Sequence, residues 1–298
     1  ENTNNYFLFS DLISDHTFKT QDMVDRVNEF LFTRDPYAFI DQTSATQKAY
    51  HALVFEKEDS LNFLYKMESE PKGYQYENHV ISGIPKEIAE KLPTADRIGN
   101  TYVELLSASV GSGSANFPQD EDGIIRRAPT AIYFEGPNHV YPSLVMSAVI
   151  DILGIKKDGG FDYDFENHVL RLIDTTNTIV REIPIDDHGR MYVNYYGRFK
   201  TFYYLPYSYC IDPNLSDYFE DKVAFVGASL PGLMDLRNTP VQETFAGVEI
   251  HTNVMHSILQ NQFILPTSSG TNLMVILIVG TILGILVSIP TKPLYTLP

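Results

Sequence analysis

KVAFVGAS at Lys222–Ser229 and GVEIHTNVMHSILQN at Gly247–Asn261 are the stretches on which the fold class turns. The first is a β-branched and aromatic run that stops at a glycine, the composition of a short strand entering a turn. In the second, Val248, His251, Val254, Met255, Ile258 and Leu259 recur at helical spacing, so an amphipathic helix is expected with that stripe turned to a core. Working outward, Ile124–Phe134, His168–Ile173 and Arg190–Tyr195 also have strand composition. Pro142–Leu153 reads as an apolar helix ended by Gly154. Glu182–Pro184 and Asp186–Gly189 read as strand-end and turn material. Strands alternating with helices predict an α/β domain: a mixed sheet with helices packed on its faces. Nearer the N-terminus, helices are expected over Gln21–Phe32, over Leu61–Met67 with Ser60 as N-cap, and over Ile84–Leu92 with Pro85 in the first turn. This less regular part is expected to pack onto the same sheet.

The chain has 298 residues, 44% of them hydrophobic, which is ordinary globular composition with enough length for one large core or two smaller ones. A formal net charge of -16 argues against a nucleic-acid partner, since such a surface repels phosphate. Cys210 is the single cysteine, so neither an intramolecular disulfide nor a Cys-based zinc site can form. The first residue is Glu1 and no basic-then-apolar signal segment follows, so the natural start is expected upstream.

LMVILIVGTILGILVSI, Leu273–Ile289, carries no charge and as a helix covers about 26 Å, the short end of what spans a bilayer. It is apolar on all faces and follows a polar chain, which favours a membrane span over a core helix. Lys292 lies just past it, and by the positive-inside tendency that end is cytoplasmic. The expected organisation is an extracytoplasmic domain over 1–266, a linker over 267–272, a transmembrane helix over 273–289 and the start of a cytoplasmic loop over 290–298.

Several chemical patterns compete with a structural reading. Gly227-Ala228-Ser229 after a strand begins like a nucleophile elbow, and Asp235 and His251 follow in the order of a hydrolase triad. Pro231 stands where the elbow needs a small residue, so Ser229 reads better as a turn residue. His251 and His256 are five apart on their helix, too far around it to share a metal. Asp120-Glu121-Asp122-Gly123 resembles the start of a calcium loop, but Ile124, Ile125, Arg126 and Arg127 follow instead of oxygen ligands. A turn with Asp122 accepting backbone hydrogen bonds and Gly123 supplying a permissive backbone is expected there. Asn214-Leu215-Ser216 fits the glycosylation pattern, to which little weight is given. The aromatic run Tyr192–Tyr209 is read as strand packing, with a stacking surface for a ligand as the alternative. No catalytic residue, cofactor site or metal site is assigned.

Read together, these motifs resemble the CHASE2 family of extracytoplasmic sensor domains. The residues that carry the resemblance are Asp120–Arg127, with Asp122, Gly123, Arg126 and Arg127; Tyr141–Leu144, with Pro142 and Ser143; and Val193–Gly197, with Asn194, Tyr196 and Gly197. They continue with Lys222–Ser229, containing Gly227 and Ser229; with Asp235, Thr239 and Pro240; and with Ala246–Asn253, containing Gly247, Glu249, His251 and Asn253. Their order, and the span shortly after, also match, over about Phe117–Ile289. The resemblance implies the sensing domain of a membrane-bound bacterial receptor in the inner membrane, working as a homodimer on an unidentified extracellular ligand. It implies a cytoplasmic output outside this chain, of the class III adenylate or guanylate cyclase type, with a histidine or Ser/Thr kinase as alternative. The reading from another class is a membrane-anchored extracytoplasmic hydrolase using Ser229.

Overall fold

A computed structural model describes residues 6–10, 36–57, 79–99, 103–206, 219–229, 235–267 and 269–288. The expectations for Gln21–Phe32, Ser60–Met67, Asn214–Ser216, Cys210, Pro231 and Lys292 lie outside these residues. The chain divides into two compact units, Glu1–Phe263 and Ile264–Pro298.

The first unit is a mixed α/β structure, with its strands spread over several small sheets rather than one. Tyr6–Ser10 runs parallel between Tyr203–Pro206 and Val223–Val226, so the N-terminal strand joins two strands from the far end of the unit. Phe161–Asp164, Val169–Ile173 and Ile179–Pro184 form an antiparallel meander. Alternation along its middle strand turns Leu170 and Leu172 inward, both fully buried. The expected strand Ile124–Phe134 is two strands, Arg127–Pro129 and Ala131–Phe134, broken at Thr130. The Thr130 hydroxyl donates to the Gly189 carbonyl at 2.7 Å and meets Tyr163 Oη at 2.8 Å, fixing a change of partner. Before the break the chain pairs with Arg190–Tyr192, and after it with Thr94–Ala95 and His139–Pro142.

The described helices of this unit are α1 (Pro36–Thr46), α2 (Lys86–Ala89), α3 (Val103–Ala108), α4 (Leu144–Ile152) and α5 (Gly247–Gln260). The helix expected over Ile84–Leu92 shrinks to α2. After it the chain tightens into i→i+3 bonds, Lys91 N to Ile88 O and Leu92 N to Ala89 O, because Pro93 disfavours helical backbone before it. Pro142 belongs to the strand before α4, and Ser143 is the N-cap, its Oγ accepting from Met146 N at 3.3 Å. Gly154, at φ 65°, ends that helix. The larger core gathers Val145, Met146 and Val149 of α4 with Val254, Met255 and Ile258 of α5. A smaller core joins Leu53, Phe55, Leu106, Phe134 and Tyr141, with the Phe55 and Tyr141 rings 5.2 Å apart.

The second unit contains α6, Ser269–Ser288, of which Gly270–Ser288 is long and apolar enough to cross a membrane. Its 19 residues reach about 28 Å, and it begins three residues before the span expected from sequence. Its large apolar side chains are exposed along its length. The Thr281 hydroxyl donates to the Leu277 carbonyl at 2.7 Å, so this polar group is satisfied within the helix, as an apolar surrounding requires.

Candidate functional site: a buried polar helix and the motifs that meet on it

Helix α5 was expected to be amphipathic, yet every residue from Gly247 to Ile258 is buried. Its polar face is covered because that face has dedicated partners. Glu249 is 0% exposed; its carboxylate accepts from the backbone N–H groups of Lys200 and Thr201, both at 3.1 Å, and from Tyr204 Oη at 2.7 Å. Burial raises the Glu249 carboxyl above the usual glutamate range, against the opposing pull of these donors. Tyr204 is pushed strongly upward by burial and by the Glu249 charge. One turn on, Asn253 Oδ1 accepts from Tyr196 N at 3.0 Å, while its Nδ2 donates to the Glu249 carbonyl at 2.7 Å. The Tyr196 hydroxyl reaches Gln262 Oε1 at 3.1 Å, and its ring stands edge-on to His256 with centroids 4.5 Å apart.

Both ends of α5 carry a complementary charge. At the N-terminus the Asp235 carboxylate lies where a Cβ on Gly247 would be, which is why glycine is needed there. The Asp235 carbonyl also accepts from Gly247 N at 2.8 Å. Burial raises the Asp235 carboxyl, opposed by Arg237 and by the Val248 N–H beside it. At the C-terminus Arg181 donates from Nε to the Ile258 carbonyl at 2.7 Å and from a terminal nitrogen to the Leu259 carbonyl at 2.9 Å. An anion at the first turn and a cation at the last turn suit the helix dipole and satisfy orphan backbone groups. Gly227 follows the Val223–Val226 strand, and a Cβ on it would lie 2.8 Å from Val248 Cβ, so strand and helix approach at a glycine. Asp235→Ala is expected to cost about 1 kcal/mol as a lost cap, lowering the melting temperature by roughly 2–4 °C in a unit of this size. A melting temperature equal to wild type, with receptor output lost, would instead make Asp235 a ligand contact.

Several of the remaining motif residues join one another through the backbone. Asp122 Oδ1 accepts from Ile124 N at 3.1 Å in a turn where Gly123 has φ 77°. Arg126 pairs with Asp122 at 2.7 Å and Asp120 at 3.1 Å; Arg127 pairs with Asp120 and Asp186; and Arg190 closes the row on Asp186 at 2.7 Å. Hydrogen bonds from Arg126 hold the Asp122 carboxyl down at about 2. The acidic run thus faces guanidinium groups. The row then joins the other motifs: Ile125 N donates to the Asn238 carbonyl, Val193 N to the Arg126 carbonyl, and the Tyr195 hydroxyl to the Ile125 carbonyl, at 2.9, 2.9 and 2.8 Å. Asn194 is half-buried beside them. Gly197 opens a tight turn against Thr201. Thr239 bonds Gln242 across the hairpin that holds Pro240 at its exposed tip. Pro142 and Ser143 stand apart, at the start of α4.

The geometry does not assemble a hydrolase. Asp235 faces the α5 N-terminus and Arg237 rather than His251. The His251 ring packs against Phe117, centroids 4.4 Å apart, and stacks at 6.5 Å on Phe225. Its Nδ1 has no hydrogen-bond partner, and burial pushes its pKa down to about 3. Ser229 is buried and makes no hydrogen bond to His251. The histidine pair is also divided, since His256 meets Tyr196 and Phe202 instead. Among the described residues, no three His, Cys, Asp or Glu side chains gather as a metal site. In the described part of the aromatic run Phe202 is buried and Tyr195 stands edge-on to Phe245 at 5.5 Å, while Tyr203 is exposed.

Sequence reading missed Arg181, Tyr204 and the buried strand Gly111–Ser114. The alternating Gly-Ser-Gly-Ser of that strand was a legible sign of backbone passing close to another element.

The profile of a family described as the CHASE2 domain matches residues 20–286. No curated protein and no solved structure matches the chain. The match begins well before Phe117, where the motifs start, and so takes in α1 and α2, though not the strand Tyr6–Ser10.

Proposed function

The chain belongs to the CHASE2 domain family of extracytoplasmic sensor domains of signalling receptors, and from that premise we propose that it is the input module of a membrane-bound bacterial receptor held in the inner membrane by α6. Residues 1–266 sense outside the membrane, 267–272 link, 273–289 cross, and 290–298 open a cytoplasmic loop. The output is a class III adenylate or guanylate cyclase, with a histidine or Ser/Thr kinase as the other reading, in a dimer that brings α6 helices together. The family match over residues 20–286 carries the proposal. The apolar exposed helix at the end of the chain supports the membrane part of it.

A sensor can act only if its ligand binds two states of the domain differently and a rigid element passes the difference on. Helix α5, buried from Gly247 to Ile258 and bonded at both ends, is such an element, and only 261–268 separate it from α6. In the full-length receptor, a flexible Gly-Ser insertion after Pro266 is expected to abolish signal-dependent output while the unfolding transition of the domain stays unchanged. Normal stimulated output from the insertion variant would sink the reading. A phosphatase reporter fused after Lys292 should stay in the cytoplasm and be inactive; periplasmic phosphatase activity would reverse the topology.

A further inference from the structure

Two histidines from separate parts of the chain close on the last turn of α3. His79 Nε2 lies 3.2 Å from the Leu106 carbonyl, and His51 Nδ1 lies 2.6 Å from Ser109 Oγ. The Ser109 hydroxyl in turn donates to the Leu105 carbonyl at 2.7 Å. Carbonyl oxygens only accept, so these partners fix both tautomers. His79 carries its proton on Nε2, which leaves Nδ1 bare. The one Ser109 hydroxyl proton goes to Leu105, so His51 is the donor to Ser109 and carries its proton on Nδ1. Ser109 N also donates to the Leu106 carbonyl at 3.1 Å, and Val110 N donates to the Ala49 carbonyl at 3.0 Å beside the strand Tyr50–Leu53. The end of α3 is therefore held on that strand by two neutral imidazoles, one directly and one through a serine.

The surroundings tolerate these imidazoles only when they are neutral. His79 is buried, and its Nδ1 is shut off from water with no hydrogen-bond partner among the described residues. A second proton there would create a buried N–H without an acceptor, which native structures rarely keep. The charged groups nearby do not invite that proton. Lys157 and Asp151 line the same small cavity as His79, and the Asp151 carboxylate already accepts from the Tyr50 hydroxyl at 2.7 Å. Glu104 of α3 is exposed, and Ser112, which pairs with His51 across the parallel strands, is neutral. Burial lowers both imidazoles from the ordinary 6.5; at His79 the Leu106 carbonyl opposes this and the Lys157 charge adds to it, and at His51 the neighbouring His79 adds to it. We propose that His51 and His79 form an acid-opened clasp, which holds the end of α3 on the strand Tyr50–Leu53 while both rings are neutral and releases 103–110 when they take up protons. The sign follows from linkage. The released segment binds protons at the ordinary 6.5 and the closed one resists them, so the closed state is fully favoured above 6.5 and loses ground as pH falls below it. The proposal rests on the sensor reading in one respect, that the domain faces the medium whose acidity it registers.

The test is amide hydrogen exchange read by mass spectrometry on the full chain in detergent micelles, from about pH 7.5 to about pH 5.5, with rates corrected for intrinsic chemistry. Each histidine can raise the opening equilibrium up to about tenfold per pH unit below its ordinary value, and the pair up to about a hundredfold. Protection of 103–110 is therefore expected to fall by about tenfold or more per unit below 6.5. The strand Val169–Ile173, in a separate sheet, is the internal reference and should change less. A double variant, His51→Asn with His79→Gln, sets a non-titrating amide nitrogen near the position of each ring donor. It should protect 103–110 at the upper pH and stay flat down to the lower one. Protection of 103–110 that merely follows Val169–Ile173 overturns the clasp, as does a double variant that keeps the wild-type slope. If the double variant does not fold, the wild-type comparison of the two segments decides alone. No receptor output enters this measurement, so its failure leaves the sensor reading standing. That reading falls instead if output of the full-length receptor persists when the domain is unfolded by substitution.

Discussion

Glu249→Ala is expected to cost about 3 kcal/mol or more and to leave the domain largely unfolded at moderate urea. The carboxylate is fully buried and accepts from two backbone N–H groups and the Tyr204 hydroxyl. Truncation leaves those donors buried without partners, each costing about 1–3 kcal/mol, and relief of the buried charge offsets only part of it. Glu249→Gln keeps the shape but aims an amide NH2 at donors, so it should fall between Ala and wild type. A midpoint for Glu249→Ala within experimental error of wild type would show that the 198–204 turn does not depend on this side chain.

The same group sets a pH dependence. Folded Glu249 holds its proton more tightly than a glutamate in the unfolded chain, because its carboxyl is raised. The folded state therefore binds more protons, and this contribution is full below the ordinary value of 4.5 and lost as pH climbs through the raised one. Asp235, raised by burial, adds to the same limb. Asp122 and Asp164, both held down at about 2 by hydrogen bonds, act oppositely: their contribution is present above 3.8 and lost as pH falls. Stability measured across pH should therefore decline on both sides of a maximum acidic of neutrality. Glu249→Gln should flatten the alkaline limb and leave the acid limb intact. An unaltered alkaline limb in that variant would assign the effect to other groups.

What the sequence revealed and what it hid follow from the range of the interactions. The strands at 169–173 and 223–226 and the helices α4 and α5 were legible because they are written in local periodicity and ended by local breakers, Gly154 above all. The break at Thr130 was not, since it is set by Gly189 and Tyr163, distant in the chain. The burial of the polar face of α5 was equally hidden, because a stripe pattern cannot show that Glu249 and Asn253 are matched by backbone from 196–201. The motifs Asp122–Arg127, Val193–Gly197 and Gly247–Asn253 were picked out one by one, but the chain of bonds from the first through the second to the third needed the fold.

Gly113→Val should be the most damaging single substitution outside the polar helix. Gly111–Ser114 is buried at every position and runs parallel to Tyr50–Leu53. A Cβ on Gly113 would stand 2.5 Å from the Ser143 carbonyl oxygen and 2.7 Å from Leu144 N, backbone atoms that no rotamer change can move aside. A Cβ on Gly111 would meet Ser147 Oγ at 2.5 Å and the Tyr50 ring at 2.9 Å, so the strand lies against the first turns of α4 along its length. Any added side chain must lift the N-terminus of α4, where Ser143 caps, and with it Val145, Met146 and Val149 of the larger core. Gly113→Ala should cost about 2–3 kcal/mol and Gly113→Val more, toward the upper end of overpacking effects and beyond, because neither side can give. Gly136→Ala is the matched control. Nothing lies within 4 Å of its Cβ position and its φ is not in the left-handed region, so it should be neutral within about 0.5 kcal/mol or slightly stabilising. Urea unfolding of the three variants reads the difference directly. Coincident curves for Gly113→Ala and Gly136→Ala would mean that the strand and α4 have room between them, and that the Gly-Ser alternation serves something other than close packing.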